Sequence, residues 1–231
     1  MVQDNLKHIQ EKIGDSVRRL GKNPKDITLV GVTKYADVAN IRQAIEAGLG
    51  HIGENRLQDS EEKYIQIRQA FSQVKRHFLG HLQTNKIKDV LQLFDVIQSV
   101  DSHHLAEAIE KHAASLNRWV DVLIQVNTSG EKQKFGVAPS QCLELIDQMN
   151  DCPHLHIQGL MTVGPLTEDE AMIRQTFRDL RNLKEQVEKQ WPADSRVQMK
   201  YLSMGMSHDF KIALEEGSNM VRIGSAIFKN E

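Results

Sequence analysis

Short runs rich in Val, Ile and Leu recur eight times along this chain, at roughly 27–33, 50–53, 77–82, 95–100, 121–127, 156–163, 200–204 and 220–223. Segments with helical spacing of apolar residues separate them. A strand that returns in the same direction beside its predecessor needs a long crossover, and a helix supplies it. Eight such units in 231 residues predict a closed (β/α)8 TIM barrel, with an open doubly wound sheet as the competing arrangement. No Pro/Gly/Ser-rich linker or low-complexity stretch interrupts the pattern, so residues 1–231 are expected to form a single domain.

The helical segments carry their own punctuation. Residues 37–47 read as a helix stopped by Gly48, and Leu105, Ile109, Ala113 and Leu116 mark another. Residues 139–149 follow Pro139, which suits a first helical turn. The longest helix is expected to begin at Thr167-Glu168-Asp169-Glu170 as a capping box, with an apolar stripe of Ile173, Phe177, Leu180 and Val187. Ahead of the first strand, residues 3–20 form an extra amphipathic helix, placed to plug one end of the barrel.

Charge narrows the function classes. With 29 basic and 31 acidic residues there is no polycationic surface for nucleic acid or an anionic membrane. No apolar run approaches the roughly 20 residues that span a bilayer, and the polar start of the chain lacks a signal-peptide core. Two cysteines, Cys142 and Cys152, make no disulfide framework, and the ten histidines show no zinc spacing. The expectation is a cytoplasmic protein without a metal.

A barrel carries its chemistry at the C-terminal ends of its strands, and phosphate often sits in the loops after the seventh and eighth. Here those loops are Ser203-Met204-Gly205-Met206-Ser207 and Gly224-Ser225. Glycine lets backbone N–H groups approach an anion, and serine hydroxyls donate to it. Ser207 also precedes an expected helix at 211–216, whose first amides favour negative charge. Gly and Ser make ordinary turns as well, but their presence in both loops points to a phosphate.

Lys34 follows the first strand. A lysine there can simply keep its amine in water. In a partly apolar mouth beside other cations, the amine can instead attack an aldehyde. Arg222 lies within an otherwise apolar strand, where an unpaired guanidinium is costly. It either pairs with a strand-end acid, Glu54 or Asp101, or donates to the ring nitrogen of a cofactor. Arginine has only donors and stays protonated, so that nitrogen would remain unprotonated and the ring a weak electron sink. This suits a carrier or racemase-like enzyme better than an aminotransferase. Asn55 either flanks a cofactor or caps the next helix, and Gln83, Asn85 and Lys86 either line the rim or begin a helix. Gly48-Leu49-Gly50-His51-Ile52-Gly53 has the spelling of a dinucleotide fingerprint but leads from a helix into a strand, the reverse of the required order. His77 and His81 lie on an expected strand, not at ligand spacing on a helix. No Gly-x-Ser-x-Gly elbow or P-loop is present.

Leu29-Val30-Gly31-Val32-Thr33-Lys34, Gly53-Glu54-Asn55, the run His77 to Lys86, Leu202 to Ser207 and Met220 to Phe228 together resemble the pyridoxal phosphate homeostasis proteins, a barrel family similar to the N-terminal domain of alanine racemase. The resemblance implies pyridoxal 5′-phosphate held on Lys34 as an internal aldimine, with Arg222 at the pyridine nitrogen. It implies a phosphate held by Ser207, Gly224 and Ser225 with the Met204 region, and Asn55 and Met161 beside the ring. A monomeric carrier in intracellular cofactor homeostasis is expected, with no catalytic residue and with apo-enzymes as recipients. Two positions depart from the pattern. Tyr35-Ala36-Asp37 follows Lys34 where relatives often place threonine and proline. Lys134 stands where the racemase likeness suggests an arginine, and could exchange with Lys34 for the aldehyde. The chain ends at Glu231 with no counterpart of the racemase β-domain and its tyrosine base, so two-base racemisation is not expected. The alternatives are a racemase-like enzyme using Lys34 as sole base, and a sugar- or nucleotide-phosphate barrel without a Schiff base.

Overall fold

The pairing that decides the architecture joins the first strand to the last. In the computed structural model, which describes residues 1–58, 60–191 and 196–229, Thr28 to Gly31 lie in parallel register with Met220 to Ile223. Neighbouring strands around the sheet pair in sequence order, giving a closed eight-stranded parallel barrel and excluding the open sheet. In chain order the elements are α1 (Val2–Arg19), β1 (Thr28–Val32), α2 (Val38–Glu46), β2 (His51–Glu54), α3 (Glu61–Ala70) and β3 (Lys75–Phe78). They continue as α4 (Ile87–Leu93), β4 (Val96–Val100), α5 (His103–Ser115), β5 (Val120–Gln125), α6 (Cys142–Gln148) and β6 (Leu155–Met161). The last are α7 (Glu170–Gln190), β7 (Val197–Ser203), α8 (Phe210–Glu215), β8 (Met220–Ile223) and α9 (Ser225–Phe228).

The main hydrophobic core lies between the strands and the helices. A smaller apolar group, Val30, Leu123, Met161 and Met220, sits apart from it. Strand alternation explains the split, because successive side chains point to opposite faces. One face of each strand meets the helices, and the other meets the barrel interior.

Three local expectations change. The N-terminal helix α1 buries Val2, Leu6, Ile9, Ile13 and Val17, but it packs against α2, α8 and α9. It therefore covers the seam between β8 and β1 in the outer layer and does not plug a barrel end. The five-residue stripe is its reason for docking, since each buried aliphatic contributes roughly 1.5–3 kcal/mol. At α7 the N-cap is Asp169, whose carboxylate accepts from the amides of Ala171 and Met172 at 2.9 and 3.2 Å. Thr167 instead accepts from the Asp169 amide at 3.1 Å, because the helix begins too late for the threonine to reach its free amides. The third strand ends at Phe78, earlier than expected, and Thr84–Lys86 form a single 3-10 turn leading into α4.

Candidate cofactor-binding site

Alternation along β1 places Val30 in the lumen and carries Val32 and Lys34 to the same face at the C-terminal mouth. Lys34 lies one residue beyond Thr33, which is tied down firmly. The Thr33 amide donates to Gly53 O at 2.9 Å, and its hydroxyl lies 3.0 Å from the Tyr64 hydroxyl. Lys63 donates to Thr33 O at 2.9 Å and pairs with the buried Glu54 carboxylate at 2.7 Å. Asp37 ends this loop by accepting from the Asn40 amide at 2.7 Å, which starts α2. The Tyr35-Ala36-Asp37 departure therefore still supplies a helix cap.

Lys34, Asn55, Met161, Ser207, Arg222, Gly224 and Ser225 line one cavity of about 400 Å³. Lys34 and Arg222 come from opposite ends of the chain and meet because β1 and β8 are neighbours, while Asn55 and Met161 enter from the C-terminal ends of β2 and β6. Met204 is not among them. Ser203 bonds into the lumen, so alternation turns Met204 outward, where it is fully buried in the core against the helices. Gly205 then turns the chain at a φ of +98°, and a Cβ there would come within 2.6 Å of the Ala213 Cβ. Met206, two residues on, reaches the cavity instead. Its amide donates to the buried Asp209 carboxylate at 2.5 Å, which shapes the loop. The two serine loops touch, with Ser225 Oγ donating to Ser207 Oγ at 3.2 Å.

Arg222 does not form the ion pair considered from sequence. Glu54 is engaged with Lys63. Arg222 Nη1 donates to Ser203 Oγ and Nη2 to Thr162 O, both at 2.7 Å. Burial brings the guanidinium down to about 10, partly offset by Asp209, so it remains charged at neutral pH. Asp101 is half-buried, and burial raises its carboxyl above the usual range. Asn55 does not cap α3, whose N-cap is Ser60. It is held in place by close approach: a Cβ on Gly80 would lie 1.9 Å from Asn55 O, so only glycine lets the chain after β3 press against it.

The cavity also contains residues that sequence reasoning passed over, among them Tyr35, Met206, His208 and Lys229. Lys34 Nζ and Lys229 Nζ lie 4.9 and 5.2 Å from the centre of the Tyr35 ring, which is 66% exposed. A large aromatic directly after a candidate reactive lysine was the available signal. Gln83 and Lys86 line a neighbouring cavity of about 310 Å³, which shares Asn55 with the first. Lys134 Nζ donates to Gly164 O at 2.7 Å and pairs with Glu131; it does not line the cavity containing Lys34. Among the described residues no group of three His, Cys, Asp or Glu side chains is placed to hold a metal, and no helix is long and apolar enough to cross a membrane.

Comparison with known proteins agrees with this architecture. The family model for the alanine racemase N-terminal domain matches residues 3–231. The pyridoxal phosphate homeostasis protein of Aquifex aeolicus is 37% identical over 225 residues, covering 97% of this chain and 96% of that protein. Among solved structures, an unknown protein from Bifidobacterium adolescentis aligns with a TM-score of 0.92 at 34% identity, over 98% of this chain and 94% of that one. PipY of Synechococcus elongatus, solved with PLP bound, aligns with a TM-score of 0.82 at 31% identity, over 94% of this chain and 100% of that one. The shared barrel and the nearly full-length likeness place this chain in the alanine racemase N-terminal domain family and, within it, among the pyridoxal phosphate homeostasis proteins.

Proposed function

We propose that this protein, acting as one barrel unit over residues 1–231, binds pyridoxal 5′-phosphate as a Schiff base on Lys34. It holds the reactive aldehyde, buffers its free concentration in the cytoplasm and passes it to apo-enzymes, without turnover of its own. The observation that carries this reading is that an amine, a buried guanidinium and a pair of serine hydroxyls line one cavity: Lys34, Arg222, and Ser207 with Ser225. A volume of about 400 Å³ falls within the range of small-molecule sites. The three groups match the three polar ends of a phosphorylated pyridine aldehyde.

The roles follow from the donor inventory. Lys34 must be neutral to attack; its nitrogen replaces the aldehyde oxygen, and one water leaves. Lys229, whose Nζ lies 5.2 Å from the centre of the Tyr35 ring, is a second cation at the same mouth. Arg222 brings only donors, so it binds an unprotonated ring nitrogen. Ser207 and Ser225 donate to the phosphate, and Gly224, which lines the same cavity, brings its backbone to the same anion. Met161 and Asn55 flank the ring, while Met204 supports the phosphate loop from the packing layer behind it. When bound, the cofactor supplies an electron sink, which Arg222 keeps weak.

The test is an absorption spectrum before and after borohydride, followed by peptide mapping. A visible band that bleaches on reduction and leaves pyridoxyl on Lys34 is expected. A protein that gains no band when given pyridoxal phosphate refutes the proposal. Solvent deuterium exchange at Cα distinguishes the racemase-like reading: sustained exchange into several amino acids would mean turnover.

A further inference from the structure

Five polar side chains on five strands form a continuous line through the barrel. Arg222 Nη1 donates to Ser203 Oγ at 2.7 Å, and Ser203 Oγ donates to Gln98 Oε1 at 2.7 Å. Gln98 Nε2 lies 2.9 Å from His77 Nδ1, and His77 Nε2 lies 3.0 Å from His51 Nδ1. The residues belong to β8, β7, β4, β3 and β2, and all but His51 are buried. His51, the first residue of β2, is half-buried toward the opposite mouth.

The direction of every link follows from one end. A guanidinium can only donate, so Ser203 Oγ accepts from it and passes its own hydrogen to Gln98 Oε1. That turns the amide nitrogen of Gln98 toward His77, whose Nδ1 must accept. The His77 proton is then on Nε2 and is donated to His51 Nδ1. His51 carries its proton on Nε2, at the far end. Barrel interiors are ordinarily filled with branched aliphatic layers. A buried polar line persists at low cost only when each member is satisfied, and it then holds its members in a single arrangement.

We propose that Ser203, Gln98 and His77 are positioning residues for Arg222, fixing the plane of its guanidinium toward the cofactor cavity through a one-way hydrogen-bond chain that ends on His51. The inference rests on the reading of Arg222 as the donor to the cofactor's ring nitrogen. Nη2 is anchored separately on Thr162 O, so the two contacts together prevent rotation of the group. The remaining N–H groups of Arg222 are left for the cavity.

The surrounding charges favour this direction at neutral pH. His51 faces His77, Lys75 and Lys200, and burial with the two lysines holds its pKa below the usual value. His77 faces His51, Gln98, Asp95 and Lys75; burial dominates and takes it to about 3, with Asp95 opposing. Asp95 is occupied by Arg76 at 2.7 Å. Asp209 is the acid acting on Arg222. Both imidazoles are therefore neutral, and each has one donor and one acceptor nitrogen for the chain to use.

Nitrogen-15 NMR of the histidine rings in the cofactor-free protein tests the direction without any ligand. The expected result is His77 with unprotonated Nδ1 and protonated Nε2; the opposite tautomer overturns the proposal. Gln98→Leu removes the link, and losing a hydrogen bond that orients a charged group is expected to weaken pyridoxal phosphate binding about tenfold. Gln98→Glu keeps the acceptor for Ser203 but offers only acceptors to His77. It is expected to retain most of the affinity and to reverse the His77 tautomer, an effect that simple loss of packing would not produce. Arg222→Gln is measured in parallel. If it leaves affinity and band position unchanged, the ring-nitrogen reading fails. If it weakens binding while folded Gln98→Leu does not, the positioning chain fails and the proposed function stands.

Discussion

Acidification should cost this protein stability through His77, and the size of the loss follows from its burial. The imidazole is buried inside the barrel and stays neutral until about pH 3, whereas an unfolded histidine protonates near 6.5. The folded pKa is depressed, so the unfolded state binds more protons as pH falls through the window from about 6.5 to about 3, and stability falls with it. Between pH 7 and pH 5 the proton-linkage expression gives a loss of about 2 kcal/mol from this one group. Near pH 5, midway between the two values, the slope approaches its limit of about 1.4 kcal/mol per pH unit. Urea unfolding of the wild type and His77→Gln at pH 7 and pH 5 measures it. The variant loses the barrel contact and is less stable at pH 7, but it should lose about 2 kcal/mol less on going to pH 5. Equal losses in the two proteins would mean that His77 is charged or solvated in the folded state, and the neutral chain running to Arg222 would fall with it.

Other outcomes are equally specific. Glu216 is buried beneath Arg174, Arg178 and Arg181, at 3.1, 3.2 and 3.1 Å, joining α7 to the end of α8. Burial would raise its carboxyl, but hydrogen bonds from Arg178 and Arg174 outweigh this and leave it lowered, so Glu216→Ala should cost about 1–3 kcal/mol in denaturant titration. The double variant Ser207→Ala/Ser225→Ala should weaken pyridoxal phosphate binding about tenfold or more, while binding of unphosphorylated pyridoxal changes little; equal losses for both ligands would count against the phosphate assignment. Burial pushes the Cys142 thiol up to about 12, and burial with Glu110 and Glu107 pushes Cys152 up to about 11. Neither should react with a thiol reagent at pH 8 until urea opens the fold, and rapid labelling of the native protein would contradict that burial.

Some site residues were readable because local rules suffice for them. Lys34 stands two residues past the end of β1 and Gly224-Ser225 directly after β8, and a closed parallel barrel gathers such positions at one mouth. The placement of Met204, whose side chain does not line the cavity, turns on a one-residue question. Alternation decides which of two neighbours faces the lumen, and the register that sets the phase comes from pairing with β6 and β8. The cap of α7 moved for a similar reason, since Thr167 and Asp169 are both competent caps and the docking of the helix chooses between them.

The amino-acid sequence by itself determined the class of fold, the positions of the strands to within a few residues, and the lysine, arginine and serine loops of the candidate site. All of these depend on the period of apolar residues and on turn chemistry, which act over a few neighbours in the chain. Only the tertiary structure decided that α1 covers the β8–β1 seam, that Arg222 is held by Ser203 and Thr162 O instead of an acid, and that Tyr35 has two amines near its ring. It alone joined His51, His77, Gln98, Ser203 and Arg222 into one line. These residues are far apart in the chain, and what makes them neighbours is the closure and stagger of the barrel, a property of all eight strands together.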